Sequence, residues 1–198
     1  MDFLEIKEKL NKASIRKQSS EELLASRQKR KEEIKQELET ILKSQALLQE
    51  VAKEVQSQLS VKIDSIVNLG LATCFGNEYT FKLEYVSSRG KTEVEFNLYK
   101  DGKLIDPMMQ NGGGLVDILC FCLRVAVYSI SKVDNLIVFD EAMKYVSKGY
   151  RSKAAELIHT LSEKLDLQFI SVTHIEEMVD DSDKQIVVGK REGVSYVL

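Results

Sequence analysis

The first glycine of this chain is Gly70 and its single proline is Pro107. A stretch of that length without a helix breaker, built mostly from Glu, Lys, Gln, Leu and Ala, favours one long helix. Inside it the apolar residues recur at alternating four- and three-residue steps: Ile34, Leu38, Ile41, then Leu48, Ala52, Val55, Leu59 and Ile66, with Gln45 and Lys62 as lapses. Run backwards, the same register meets Leu24, Ala13, Leu10, Ile6 and Phe3, separated by polar Lys17, Ser20, Arg27 and Lys31. A bare stripe of this period asks for a partner helix and supercoils left-handed with it. The alternative for the part beyond Ile41 is a helix lying along its own domain. The expected organisation is a coiled-coil helix over residues 1–66, dimerising through Leu38–Leu59, and a separate lobe over residues 67–198.

Composition limits what that lobe can be. The chain has 198 residues, 43% of them hydrophobic, which suffices for one ordinary domain and an appendage. A net charge of −3 gives no bulk basic character of the kind that draws a protein to nucleic acid. Cys74, Cys120 and Cys122 lack the spacing of a zinc site; Cys120 and Cys122 lie in an apolar run and are expected to be buried thiols, as suits a reducing compartment. From the charged N-terminus no signal peptide is expected, and no apolar run of spanning length is free of charge. A soluble, cytoplasmic protein without a membrane partner is the expectation.

After "NLGLATCFGNEY" the pattern changes. "YTFKLEYV" and "TEVEFNLYK" alternate apolar with polar around "SSRGK", which predicts a hairpin, and "KDGK" predicts a further turn. "GKLIDPMMQNGGG" reads as a loop, followed by an apolar helix from about Leu115 to Ile130. Then come "NLIVFDE" as a buried strand, a helix over about Lys148–Leu165, "LQFISVTH" as a second buried strand, and a closing pair, "KQIVVGK" and "GVSYVL". Strand, helix, strand with continuous apolar strands predicts an α/β lobe: a parallel sheet covered by helices, with the β-hairpin attached.

Three short segments carry chemistry. Gly112, Gly113 and Gly114 stand together directly before the apolar helix. They either make a tight turn or clear side chains away so that backbone amides and a helix N-terminus can hold an anion. "LIVFDE" ends a strand in adjacent Asp140 and Glu141, which can reach the crevice above a sheet; Asp140 can hold Mg²⁺ through water while Glu141 polarises an attacking water. An acidic turn closing a strand is the plain alternative. "FISVTH" ends a second strand at His174, whose neutral imidazole can hydrogen-bond a phosphate oxygen. His159 sits off the apolar face of its helix and is expected in solvent.

In this order the segments resemble the C-terminal half of an ABC-type ATPase. The coiled coil before them narrows the likeness to the SMC-like branch, especially DNA double-strand-break repair ATPases of SbcC type, and "NGGG" with "DEAMKYVSK" looks most like bacteriophage members. The resemblance covers roughly Ile34 to Leu198. It implies a C-terminal lobe of an ABC-type ATPase head with a long N-terminal coiled-coil helix. It makes Asn111, Gly112, Gly113 and Gly114 the signature motif, which caps ATP held by the opposite subunit of a head-to-head dimer. Asp140 becomes Walker B, Glu141 the catalytic glutamate and His174 the switch histidine, with "AMKYVSK" at the D-loop position. Ala142 departs from the family's proline after the carboxylates.

A Walker A loop needs Gly, four residues, then Gly-Lys-Ser/Thr. The only Gly-Lys-Thr here is Gly90-Lys91-Thr92, with Tyr85 where the first glycine belongs, and an alternating strand follows it. The implied protein is therefore the C-terminal half of a split ATPase acting in DNA recombination or repair in a bacterial host cell. It would use ATP and Mg²⁺ only with a Walker A-bearing partner, touch DNA indirectly and stand beside a nuclease subunit. The other reading is a non-catalytic protein that mimics an ATPase lobe and binds, blocks or scaffolds another ATPase.

Overall fold

The computed structural model describes residues 3–88, 90–110, 112–131, 134–191 and 193–197. The chain divides into two compact units, Met1–Val55 and Gln56–Leu198. The first is the leading part of helix α1 (Phe3–Phe75), in which every described residue to Val55 is exposed, including Ile34, Leu38, Ile41 and Leu48 of the seam.

The second unit begins inside α1. There the alternative of a helix packed on its own domain applies, for Ile63, Ile66, Val67, Leu71 and Cys74 enter the core. The helix continues past Gly70 because the glycine sits at a close crossing: a Cβ added there would overlap Cys122 Sγ. β1 (Tyr79–Ser88) and β2 (Lys91–Lys100) form the expected hairpin, with Ser88 opposite Lys91 and Tyr79 opposite Lys100. Asp64 and Asn68 of α1 fasten β1: Leu83 N–H donates to Asp64 Oδ1 at 2.8 Å, and Phe81 exchanges two bonds with the Asn68 amide. Burial raises the Asp64 carboxyl above its usual range despite the bond from Leu83. The segment expected to be one loop holds a short third strand, β3 (Lys103–Ile105), after a turn at Asp101–Gly102, and a single helical turn, α2 (Pro107–Gln110).

The remaining elements are α3 (Gly113–Ser131), β4 (Leu136–Asp140), α4 (Lys148–Leu165), β5 (Gln168–Val172), α5 (Glu176–Asp180), β6 (Val188–Arg191) and β7 (Val194–Val197). β4 and β5 pair in parallel, Leu136 opposite Gln168 and Asp140 opposite Val172, joined by α4 as a parallel crossover requires. β6 and β7 pair antiparallel. By length and composition two helices, α1 and α3, could cross a bilayer; in α3 the apolar side chains Ile118, Cys122, Val125 and Ala126 are fully buried in the protein core, which accounts for their character.

The two parallel strands are not buried on both sides as their apolar runs predict. Ile137, Phe139 and Phe169 turn inward, and Phe121 of α3 stacks on Phe139 at 4.8 Å and on Phe169 at 6.0 Å. On the other face Val138 is 63% exposed, Ile170 47% and Val172 58%. Side chains alternate along a strand, so one covering layer hides only every second residue. A second correction concerns the thiols. Cys122 is buried as expected and Cys120 is exposed, because neighbours two apart on a helix lie on different faces. Burial pushes Cys74 up to about 12 and raises Cys122 as well. A thiol-reactive disulfide should therefore label one of the three cysteines rapidly in the folded chain and all three after denaturation. Cys120→Ser should remove the fast phase; fast labelling that survives it would contradict this packing.

Candidate functional site

The site is built on the loop that leaves β4. Asp140 is its last strand residue, and Glu141 follows with φ 49, a left-handed conformation costly for a residue with a Cβ. The conformation is held by the ladder, since Glu141 N–H donates to Val172 O at 2.9 Å and so extends the β4–β5 pairing by one step. Met143, also left-handed at φ 62, is buried, as is Val146, and these two apolar anchors pin residues 141–147 to the core. Ala142, half-buried, packs at the edge of that core.

Glu141 has Lys144 and His174 beside it. Lys144 Nζ donates to Glu141 Oε2 at 3.3 Å, and this bond holds the Lys144 ammonium above its usual range. His174, two residues past the end of β5, places Nδ1 at 3.9 Å from Glu141 Oε1. The carboxylate and the imidazole expected at two strand tips thus stand side by side at the C-terminal ends of the parallel strands, the edge at which such sheets bind ligands. His159 lies elsewhere, exposed on α4 and paired with Glu163 at 3.6 Å.

The glycines approach the same loop. α3 begins at Gly113, earlier than the hydrophobic pattern predicts, so two glycines occupy its first turn. A Cβ on Gly113 would come within 3.1 Å of Tyr145 Cβ, and one on Gly114 within 3.2 Å of Tyr145 O and Val146 Cα. Gly112 has nothing within 4 Å. Asn111 lies outside the described residues. Gly113 and Gly114 thus let the helix start pass close under the loop, and Gly112 faces open space. No acid stands in the first turn of α3, the end at which a helix dipole is positive.

One linking residue was missed from the pattern. Tyr145 N–H donates to Asp117 Oδ2 at 2.8 Å, tying α3 to the acidic loop. Asp117, Cys120 and Arg124 of α3 line, with Asp140, Glu141 and Lys144, a cavity of about 250 Å³. The signal was legible: Asp117 and Arg124 are the only charges in an otherwise apolar helix, seven residues apart and so on one face. Among the described residues no three His, Cys, Asp or Glu side chains form a metal cluster. Asp140 and Glu141 offer carboxylate oxygens of the kind Mg²⁺ accepts, since that ion keeps several waters and takes one or two carboxylates besides phosphate oxygens. Gly90-Lys91-Thr92 opens strand β2 and leads into no helix.

No family model matches the chain. Over 117 residues it is 27% identical to the DNA double-strand break repair Rad50 ATPase of Archaeoglobus fulgidus, a match that takes in 59% of this chain and 13% of that protein. An SMC ATPase solved in work on ATP-driven dimerization and DNA-stimulated activation of SMC ATPases superimposes with a TM-score of 0.60 at 22% identity, over 74% of this chain and 88% of that one. The Smc head domain with an extended coiled coil from Pyrococcus furiosus, bound there to the C-terminal domain of ScpA, gives 0.58 at 21% identity over 74% of this chain and 35% of its own. The head with coiled coil and joint from Pyrococcus yayanosii gives 0.59 at 20%, over 76% and 28%. This chain therefore has the fold of the C-terminal lobe of an SMC-type ATPase head, led into by the long helix of its coiled coil.

Proposed function

We propose that this chain is the C-terminal half of a split SMC-like ABC ATPase that acts in DNA recombination or repair. It works in the cytoplasm of a bacterial host cell, as a bacteriophage member of the SbcC-like type. Asn111 to Gly114 serve as the signature motif, Asp140 as Walker B, Glu141 as the catalytic glutamate and His174 as the switch histidine of a composite ATP site. A partner chain brings the Walker A loop, and a nuclease subunit and DNA stand beyond it.

The observation that carries this reading is the meeting of Glu141 and His174 at the tips of adjacent parallel strands, on a loop that Asp117 ties to a glycine-led helix. The bare sheet face supports it. Parallel sheets are ordinarily covered on both faces, and Val138, Ile170 and Val172 are apolar and exposed, as befits half of a larger head.

Each group then has one task. Amides of Gly112 and of the first turn of α3 donate to phosphate oxygens across the dimer, and the glycines keep side chains out of their way. Glu141 accepts the proton of the attacking water; His174 donates to the phosphate oxygens as charge builds there. Asp140 would hold Mg²⁺, which when bound neutralises phosphate charge. Lys144, 3.3 Å from the Glu141 carboxylate, holds that side chain in place before substrate arrives.

The isolated chain should not hydrolyse ATP, because nothing in it wraps and positions the phosphates. Release of phosphate by the purified chain, abolished in Glu141→Gln, would overturn the split-site arrangement. If a Walker A-bearing half binds this chain and the pair is still inactive, the lobe is an interaction protein that blocks or scaffolds its partner.

A further inference from the structure

The loops that carry Glu141 and His174 are held in different ways. Glu141 N–H continues the strand ladder to Val172 O at 2.9 Å, and the buried side chains of Met143 and Val146 hold the chain that follows. His174 stands among the three residues between β5 and α5, where Thr173 Oγ1 accepts from Ile175 N–H at 3.1 Å. Ile175 and Met178 are buried beyond it, while the side chain of His174 itself is 74% exposed. An exposed side chain takes its place from the backbone that bears it. The start of α5 therefore sets where the imidazole lies.

Arg151 joins the two loops. It stands near the start of α4, and its guanidinium turns both ways. Nε donates to Val146 O at 3.3 Å, at the end of the Glu141 loop, and Nη1 stands 3.6 Å from Glu177 Oε2, in the first turn of α5. The side chains of that ion pair are only 31% and 23% exposed, so water and salt screen it less than a surface pair. A planar guanidinium presents its donors in a fixed fork, which the point charge of an ammonium does not match at two separated acceptors.

We propose that Arg151 is a positioning residue for the Glu141–His174 pair. By clasping Val146 O and the Glu177 carboxylate together it fixes the start of α5 against the Glu141 loop, and so sets the 3.9 Å approach of the imidazole to the carboxylate. It acts through the two loops and not at the reacting atoms. The use of that spacing in hydrolysis rests on the ATPase reading; the spacing itself does not.

The full chain has two histidines, His159 and His174, so its imidazole signals in a nuclear magnetic resonance spectrum are readily told apart. At one fixed pH, Glu141→Gln removes the charge facing His174 and should shift that signal, leaving the signal of His159, which lies beside Glu163 on α4, in place. In a background of Arg151→Lys, and equally of Glu177→Gln, the response of His174 to Glu141→Gln should fall by about half or more, the loss that a doubled separation brings to a Coulomb interaction. Glu177→Gln keeps the size of its side chain and one acceptor oxygen, so it is the milder of the two changes; melting curves check that each variant is folded. An undiminished response in either variant overturns the proposal, as does a His174 signal that ignores Glu141→Gln with Arg151 and Glu177 intact. A His159 signal that moves as far as that of His174 in the variants makes Arg151 a support of α4 alone and overturns it too. No nucleotide and no partner enters the measurement, so its outcome is separate from that of ATP turnover.

Discussion

Glu141→Gln is expected to lower ATP turnover by the completed head about 10²–10⁴-fold, the range a general base supplies, while ATP-driven association persists. Glutamine keeps the length of the side chain and one acceptor oxygen but cannot take a proton from water. It also removes the charge that Lys144 holds at 3.3 Å and that His174 approaches at 3.9 Å. Binding depends on the glycine amides and the partner's loop, neither of which the substitution touches. The variant should therefore accumulate as a closed, ATP-loaded assembly, visible by light scattering. Turnover within a factor of two or three of the unaltered head would mean that Glu141 is an acidic turn residue and no base.

The second large effect separates two glycines that look alike in sequence. Gly114→Val should destabilise even the isolated chain, by about 1–3 kcal/mol. The new Cβ would press on Tyr145 O and Val146 Cα at 3.2 Å, and the obstacle is backbone, which cannot swing aside. Gly112→Arg meets nothing within 4 Å, so its melting temperature should match that of the unaltered chain. Its long side chain would nevertheless occupy the space in which a phosphate must approach the amides, and ATP-driven association should be lost. Thermal melts of both variants and association with a Walker A-bearing partner decide the matter. If Gly112→Arg associates normally, the open glycine holds no nucleotide and the triplet serves packing alone.

Much of the architecture was legible because it is local. The helix of α1 follows from a run without breakers, and the hairpin from alternation around Gly90; the strand tips at Asp140 and His174 follow from apolar runs that end abruptly. α3 was recognised, yet its start was placed two residues late, since propensity penalises Gly113 and Gly114 while the crowding of Tyr145 demands them. Gly70 shows the same conflict: locally a stop, it is helical because Cys122 passes too close for a Cβ. Asp117 stands out in the sequence as a charge in an apolar helix, but its task is set by Tyr145, twenty-eight positions on, a distance no pattern spans.

By itself, then, the order of residues determined the long helices, the hairpin, the two parallel strands and which side chains stand at their tips, though not the short β3, α2 and α5, since periodicity needs several residues to show. Only the tertiary structure decided that Glu141 and His174 approach each other, that Cys120 faces water while Cys122 does not, and that one face of the β4–β5 pair is bare. Each of those depends on what lies across space, and an apolar strand reads the same whether one layer covers it or two.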